Sequence, residues 1–308
     1  MNCLGLVAGV LICSTAWAAP LPSAAPARPG TLNAITGEVW LNGMRVNPTS
    51  LRLGTLEAGG ALKTGQGMAE VLLSPGGFLR LGTRSEFTLE AIGTSEIKGK
   101  LVKGEALVEV LDASVAFTIE QNGVSARLRK PGLYEFNEKR ALIAVYAGES
   151  QLYKEDKQLV ADTGAGVGTR RFHVFRTSPD PGNPLLSWSR SRSEQLSSES
   201  RASAQENTGT AQSTGPQWHW DPWSASYTFL SASGFVTGPF GWPYFSPGYA
   251  PDSIPVHRGD TWLYGPPILS NPVPVGGYGP SPFSHEGGNR TPTVPLTAPG
   301  EPHFPNNR

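Results

Sequence analysis

The residues best suited to chemistry in this chain are aromatic and fall late in it. They are Trp218-His219-Trp220-Asp221-Pro222-Trp223, Tyr227-Thr228-Phe229-Leu230 and Pro239-Phe240-Gly241-Trp242-Pro243-Tyr244-Phe245. Unstructured segments are normally poor in aromatics, so this density calls for a role. Exposed indole and phenol rings offer large, rigid contact area. Trp218, Trp220, Trp223, Trp242 and Tyr244 are therefore candidates for stacking on a sugar face or anchoring a protein partner. The competing expectation is that these rings fold back onto the rest of the protein as a belt.

Catalytic chemistry has weaker support. His219 and Asp221 lie two apart, a spacing that could begin a metal site, but no third ligand is evident. His173, His257, His285 and His303 stand alone in polar or proline-rich surroundings. Gly164-Ala165-Gly166-Val167-Gly168 lacks the third spacing of a dinucleotide loop and has no helix after it, so it reads as a glycine-rich turn. No Gly-x-Ser-x-Gly elbow exists, and no carboxylate pair is marked out by an apolar setting. The chain is therefore expected to be a non-enzyme with no catalytic residue, cofactor or metal. Arg258-Gly259-Asp260 and Asn289-Arg290-Thr291 match short adhesion and glycosylation patterns of a kind that common loop residues produce by chance.

Ahead of all this, Met1 to Ala18 reads as an export signal. Leu4 to Cys13 is almost uninterruptedly apolar, and Ala16-Trp17-Ala18 supplies small residues for cleavage near Ala19. That run is too short to cross a bilayer, and no later segment approaches the roughly 20 apolar residues a membrane helix needs. An exported protein in the periplasm or outer envelope, without a transmembrane segment, is expected. A lipid anchor on Cys13 is disfavoured by Ile12, where a small residue is wanted. Cleavage also removes Cys3 and Cys13, which are all the cysteines, and with them any disulfide or thiolate chemistry. Lys+Arg and Asp+Glu both total 25, so nothing suggests a nucleic-acid partner.

The elements that must position the aromatic block divide by composition. A linker over 19–30 leads into a region of 31–178 that holds every Lys and most aliphatic residues, enough for one core. Within it, Val39-Trp40-Leu41 and Met44-Arg45-Val46 flank Asn42-Gly43, and Val115–Gln121 and Val124–Lys130 flank Asn122-Gly123. Asn-Gly between alternating residues is a strong hairpin signal. In the second hairpin Val115, Phe117 and Ile119 are expected to face inward. Ala69–Leu73, Gly77–Leu81 and Glu105–Leu111 add further strands, with Val108 and Val110 set against Glu109. Many short strands with no helical period predict an all-β module of antiparallel strands, a β-sandwich or jelly-roll-like fold. Asn183-Pro184 then opens a helix over 183–205, with Leu185, Trp188, Arg192, Leu196 and Glu199 at helical spacing. A linker over 206–216, the aromatic segment over 217–250 and a tail expected to be disordered over 251–308 complete the chain.

Three stretches carry a resemblance: Gly60-Ala61-Leu62-Lys63-Thr64-Gly65-Gln66-Gly67-Met68-Ala69-Glu70-Val71-Leu72-Leu73, Gly77-Phe78-Leu79-Arg80-Leu81 and Gly104-Glu105-Ala106-Leu107-Val108. Over roughly Ala34 to Gly168 the sequence resembles the FecR domain family, and its aromatic block is similar to the tail of FecR-domain proteins of soil bacteria. The best-known members of that family carry signals across the bacterial inner membrane, passing the state of an outer-membrane siderophore transporter to a sigma factor. This sequence departs from their plan, because it has no cytoplasmic helical domain before a membrane helix and no small βαβ module after Phe172. A stand-alone exported relative is expected, its β-domain acting as a binding or structural module for an envelope protein or glycan. The alternatives are an envelope signalling component related to sigma-factor regulators of iron-siderophore uptake, and a carbohydrate-binding protein that uses the aromatic segment.

Overall fold

Two Asn-Gly pairs close tight hairpins, as their tolerance of positive φ demands. Asn42 and Gly43 have φ of 51° and 81°, and Asn122 and Gly123 have φ of 52° and 72°. The computed structural model describes residues 26–50, 53–93, 95–206 and 215–249, all within one unit. The export signal expected over 1–18 and the tail expected over 251–308 lie outside the described residues. So do His257, His285, His303 and the short motifs at 258–260 and 289–291.

Among the described residues the chain is mostly β with one helix. The first strands are β1 (Leu32–Thr36), β2 (Val39–Leu41), β3 (Met44–Arg45), β4 (Ala61–Thr64), β5 (Met68–Ser74), β6 (Gly77–Leu81) and β7 (Glu86–Ile92). Next come β8 (Glu96–Lys103), β9 (Glu105–Val110), β10 (Ala116–Gln121), β11 (Val124–Leu128), β12 (Gly132–Asn137) and β13 (Leu142–Ala147). The module ends with β14 (Glu149–Lys154), β15 (Lys157–Asp162), β16 (Ala165–Gly168) and β17 (His173–Arg176). Helix α1 (Pro184–Glu206) follows, then β18 (Gln217–Asp221), β19 (Ser226–Leu230), β20 (Phe235–Thr237) and β21 (Pro243–Phe245).

Strands β1 to β17 form two sheets. One has eight strands in the order β1-β5-β6-β9-β12-β13-β16-β17, and the other has nine, in the order β15-β14-β11-β10-β8-β7-β4-β2-β3. Pairing is antiparallel throughout them except between β8 and β10. The core lies between the sheets, where Val71, Leu79, Leu81, Val108 and Phe136 of the first meet Leu62, Phe87, Leu101, Phe117 and Ile119 of the second. Phe117 and Ile119 face inward as their alternation predicts, and Val115 lies just ahead of the strand, partly buried against the same core.

The eight-stranded sheet differs from a half-solvated one in that β6, β12 and β13 are buried at every position. Its outer face is covered over its first strands by α1 and by the hairpins β18–β19 and β20–β21, while β17 is left exposed. Leu185 and Leu186 rest on Leu107, Leu133, Leu142 and Tyr146, and Leu196 joins Leu72, Phe78, Phe229, Trp242 and Tyr244. At the start of α1, Asn183 Oδ1 accepts from the N–H groups of Leu185 (2.8 Å) and Leu186 (3.3 Å), the capping that Asn before Pro promises.

Candidate functional site

The aromatic block becomes the lid of the eight-stranded sheet. Register pairs Trp218 with Phe229 and Trp220 with Tyr227 across the β18–β19 hairpin. Trp218 meets Phe78 edge-on at 5.1 Å between centroids, and Trp220 meets Tyr227 at 4.9 Å, both favoured ring geometries. Trp242 is only 5% exposed and Tyr244 is fully buried, its hydroxyl donating to Ser193 O at 3.1 Å. The expectation that Trp242 and Tyr244 contact a partner is therefore corrected: both rings are buried against Leu72, Phe78 and Leu196, where removing their apolar area from water stabilises the lid. Trp218 and Trp220 are half-buried, and Trp223, in the turn of the hairpin, is 84% exposed. Among the described residues, no three His, Cys, Asp or Glu side chains gather as a metal site, and the pair His219 and Asp221 acquires no third ligand there.

Beneath α1 lies a group of charges that sequence reading placed on strands without assigning a role. Glu70, Arg80 and Glu109 stand side by side on β5, β6 and β9, on the outer face of the eight-stranded sheet. Arg80 Nε donates to Glu70 Oε2 at 2.7 Å, and its Nη1 to Glu109 Oε2 at 2.6 Å. From the helix, Arg192 Nη2 donates to Glu70 Oε1 at 2.9 Å, and Ser193 Oγ to Glu109 Oε2 at 2.5 Å. Asn33 Nδ2 also reaches Glu70 Oε1, at 2.9 Å, while its amide exchanges two bonds with the backbone of Tyr227 (2.7 and 2.9 Å). Burial pushes the Glu70 carboxyl up, but the guanidiniums of Arg192 and Arg80 outweigh it and hold its pKa at about 2. This is a weld between sheet, helix and hairpin. The three sheet charges are out of reach of any substrate. The legible signal was three charges on one face of adjacent strands, a pattern that stays buried only when paired.

A second group of charges is open to solvent. Gly166 and Gly168 belong to strand β16 rather than to a glycine-rich turn, which corrects that reading. Their missing side chains make room for rings: a Cβ on Gly166 would meet the Phe175 ring at 2.8 Å, and one on Gly168 the His173 ring at 2.7 Å. His173 and Phe175 thus lie across β16 on the outer face, 5.6 Å apart. With Lys139, Arg140, Arg170 and Arg171 they line a cleft of about 350 Å³. Those four cations are exposed and make no ion pair among the described residues, whereas Lys63, Lys98, Lys100 and Lys130 each contact a glutamate. Beside the cleft runs β17, the last strand of its sheet, exposed at all four positions.

Comparison with known proteins adds little. No protein-family model matches the chain, and no curated protein does. Two crystal structures of a candidate anti-sigma factor from Parabacteroides distasonis ATCC 8503 are similar in part, at 12% and 13% identity and a TM-score of 0.35. Each similarity covers 42% of this chain and 64% of that protein. Among the described residues, no helix is long and apolar enough to cross a membrane.

Proposed function

We propose that this chain is an exported, non-enzymatic protein of the bacterial cell envelope whose β-module is a binding platform. One observation carries the reading: β17 is a sheet edge exposed along its whole length, beside unpaired cations, while the charges beneath α1 are committed to holding the lid. An exposed strand edge presents unpaired N–H and C=O groups, which makes it a template for another chain. The apolar run Leu4 to Cys13 followed by Ala16-Trp17-Ala18, read as an export signal, supports the envelope setting.

A second reading gives the same platform a part in envelope signalling, related to sigma-factor regulators of iron-siderophore uptake. The stretches Gly60–Leu73, Gly77–Leu81 and Gly104–Val108, which resemble the FecR family, favour it. Glycan binding rests on Trp223, with Trp218 and Trp220 partly available beside it.

The test is site-specific photo-crosslinking in the envelope of the native bacterium, with the reactive group at Val174 and, as a control, at Lys98 on the other sheet. A discrete protein captured from Val174 alone supports the platform reading. Identical capture patterns from both positions would overturn it.

A further inference from the structure

Given the platform reading, on which this inference rests, the chemistry of the partner can be narrowed. Thr177 N–H donates to Gly164 O at 3.0 Å, closing the pair just beyond the β16–β17 register of Ala165 with Arg176. In an antiparallel ladder hydrogen-bonded and non-hydrogen-bonded pairs alternate. Phe175 and His173 therefore bond to β16, and the N–H and C=O of Val174 and Arg176 point away from the sheet. That free backbone row asks for another peptide backbone, which neither a sugar polymer nor a phosphate chain supplies.

Side chains restrict the partner further. Val174 is 45% exposed and Phe175 40% exposed, on opposite faces of the strand, so both faces of an added strand meet apolar surface. On the outer face, next to Phe175 and His173, stand Arg140, Arg170, Arg171 and Lys139. Arg140 lies within the field of Glu105, which is already hydrogen-bonded to Asn183. Lys154 Nζ fixes the arginine loop by donating to Thr169 O (2.9 Å) and Arg170 O (3.2 Å), so the cations are held beside the edge.

We propose that β17 and the adjoining basic cleft take an extended acidic segment of another protein as an added strand. Its carboxylates alternate with apolar side chains: the carboxylates lie on the outer face against Arg140, Arg170 and Arg171, and the apolar side chains lie on the face of Val174. Main-chain hydrogen bonds to Val174 and Arg176 hold the segment, and the cations select its charge.

The probe is a short fluorescent peptide of alternating Glu and Val, titrated onto the full mature chain by anisotropy. Its companions are a Lys/Val peptide, a Glu/Val peptide N-methylated at alternate amides, and heparin as a non-peptide polyanion. The Glu/Val peptide is expected to bind, and to weaken as salt rises. N-methylation, Val174→Pro, or Arg170→Glu with Arg171→Glu should each weaken it by about tenfold or more. Val174→Pro removes an N–H that β16 does not use, along with the Val174 side chain, and an edge strand tolerates it, so the sheet should survive. Independently of any variant, peptide should slow hydrogen exchange at the amides of Val174 and Arg176. Binding of the Lys/Val peptide as tight as that of Glu/Val would overturn the proposal. Heparin and the N-methylated peptide both matching the Glu/Val peptide, with no change in exchange, would also overturn it and make the cleft a general polyanion site. Failure of the peptide alongside a protein captured from Val174 would sink this partner class and leave the platform reading standing.

Discussion

Arg192, in the third turn of the helix, donates to Glu70 across 122 residues of sequence, with Nη2 to Oε1 at 2.9 Å and Nε to Oε1 at 3.3 Å. This pair ties α1 to the sheet it covers. Removing one partner of a buried ion pair leaves an uncompensated charge and typically costs several kcal/mol. Arg192→Met should lower stability by about 3 kcal/mol, the low end of that range because Arg80 and Asn33 still serve Glu70. Urea denaturation measures the loss. Limited proteolysis should show earlier cleavage within 184–249 than within β1 to β17, and simultaneous cleavage of both would contradict the weld.

Glu70 also makes the fold acid-sensitive in a defined window. Its carboxyl ordinarily titrates at 4.5 and is held at about 2 in the folded protein. A depressed carboxylate stabilises the fold fully above the unfolded value, and the contribution is lost as pH falls through the folded one. Roughly 3 kcal/mol should therefore disappear between pH 4.5 and 2. Glu70→Gln should be less stable at pH 7 and flatter across that window, as followed by thermal melts. An acid limb unchanged by the substitution would count against the pairing.

The two ends of the aromatic block should behave oppositely. Trp242 fills the lid core, and truncating a buried aromatic to Ala costs about 3–5 kcal/mol. Trp223 is 84% exposed, and exposed substitutions usually stay within about 0.5 kcal/mol. Chemical denaturation of Trp242→Ala and Trp223→Ala compares them. A glycan array on Trp223→Ala then asks about binding without the confusion of unfolding. Retained glycan binding in that variant would remove Trp223 from the contact set.

Asn183 serves two masters. Its Oδ1 caps the helix and its Nδ2 donates to Glu105, whose carboxyl is pushed up by burial. Asn183→Ala should lose about 1 kcal/mol, the usual value of a cap. Asn183→Asp keeps a capping oxygen but sets a second carboxylate against Glu105, so it should be destabilised at neutral pH and recover on acidification. The sign follows from a raised pKa, which favours the protonated form and gains stability as pH falls. A pH series of melts for the two variants separates capping from charge, and parallel pH profiles would refute the Glu105 contact.

Much of the β-module was legible because its determinants are local. Asn42-Gly43 and Asn122-Gly123 place φ above zero whatever surrounds them, and the alternation at Phe117 and Ile119 survives folding unchanged. Asn183-Pro184 likewise announces a helix start from its own chemistry. Gly166 and Gly168 were misread for the opposite reason. Glycine-rich sequence looks like a turn until His173 and Phe175, brought alongside by strand pairing, cover the space that side chains would have filled.

The sequence by itself determined the two-residue hairpins, the β character of the module and the capped helix α1, since each follows from φ preferences and residue patterning between neighbours. Only the tertiary structure decided what the charges and rings do. Glu70, Arg80 and Glu109 look like solvent-facing positions of half-buried strands, and Trp242 and Tyr244 look free to bind. Folding the helix and hairpins across the eight-stranded sheet buries all five, because the charges can leave water once Arg192 joins Glu70 and Ser193 joins Glu109, with Arg80 Nη2 and Glu109 Oε1 still lacking a hydrogen-bond partner among the described residues. Among the described residues the same placement leaves β17 uncovered, and that edge is the surface on which the function is proposed to rest.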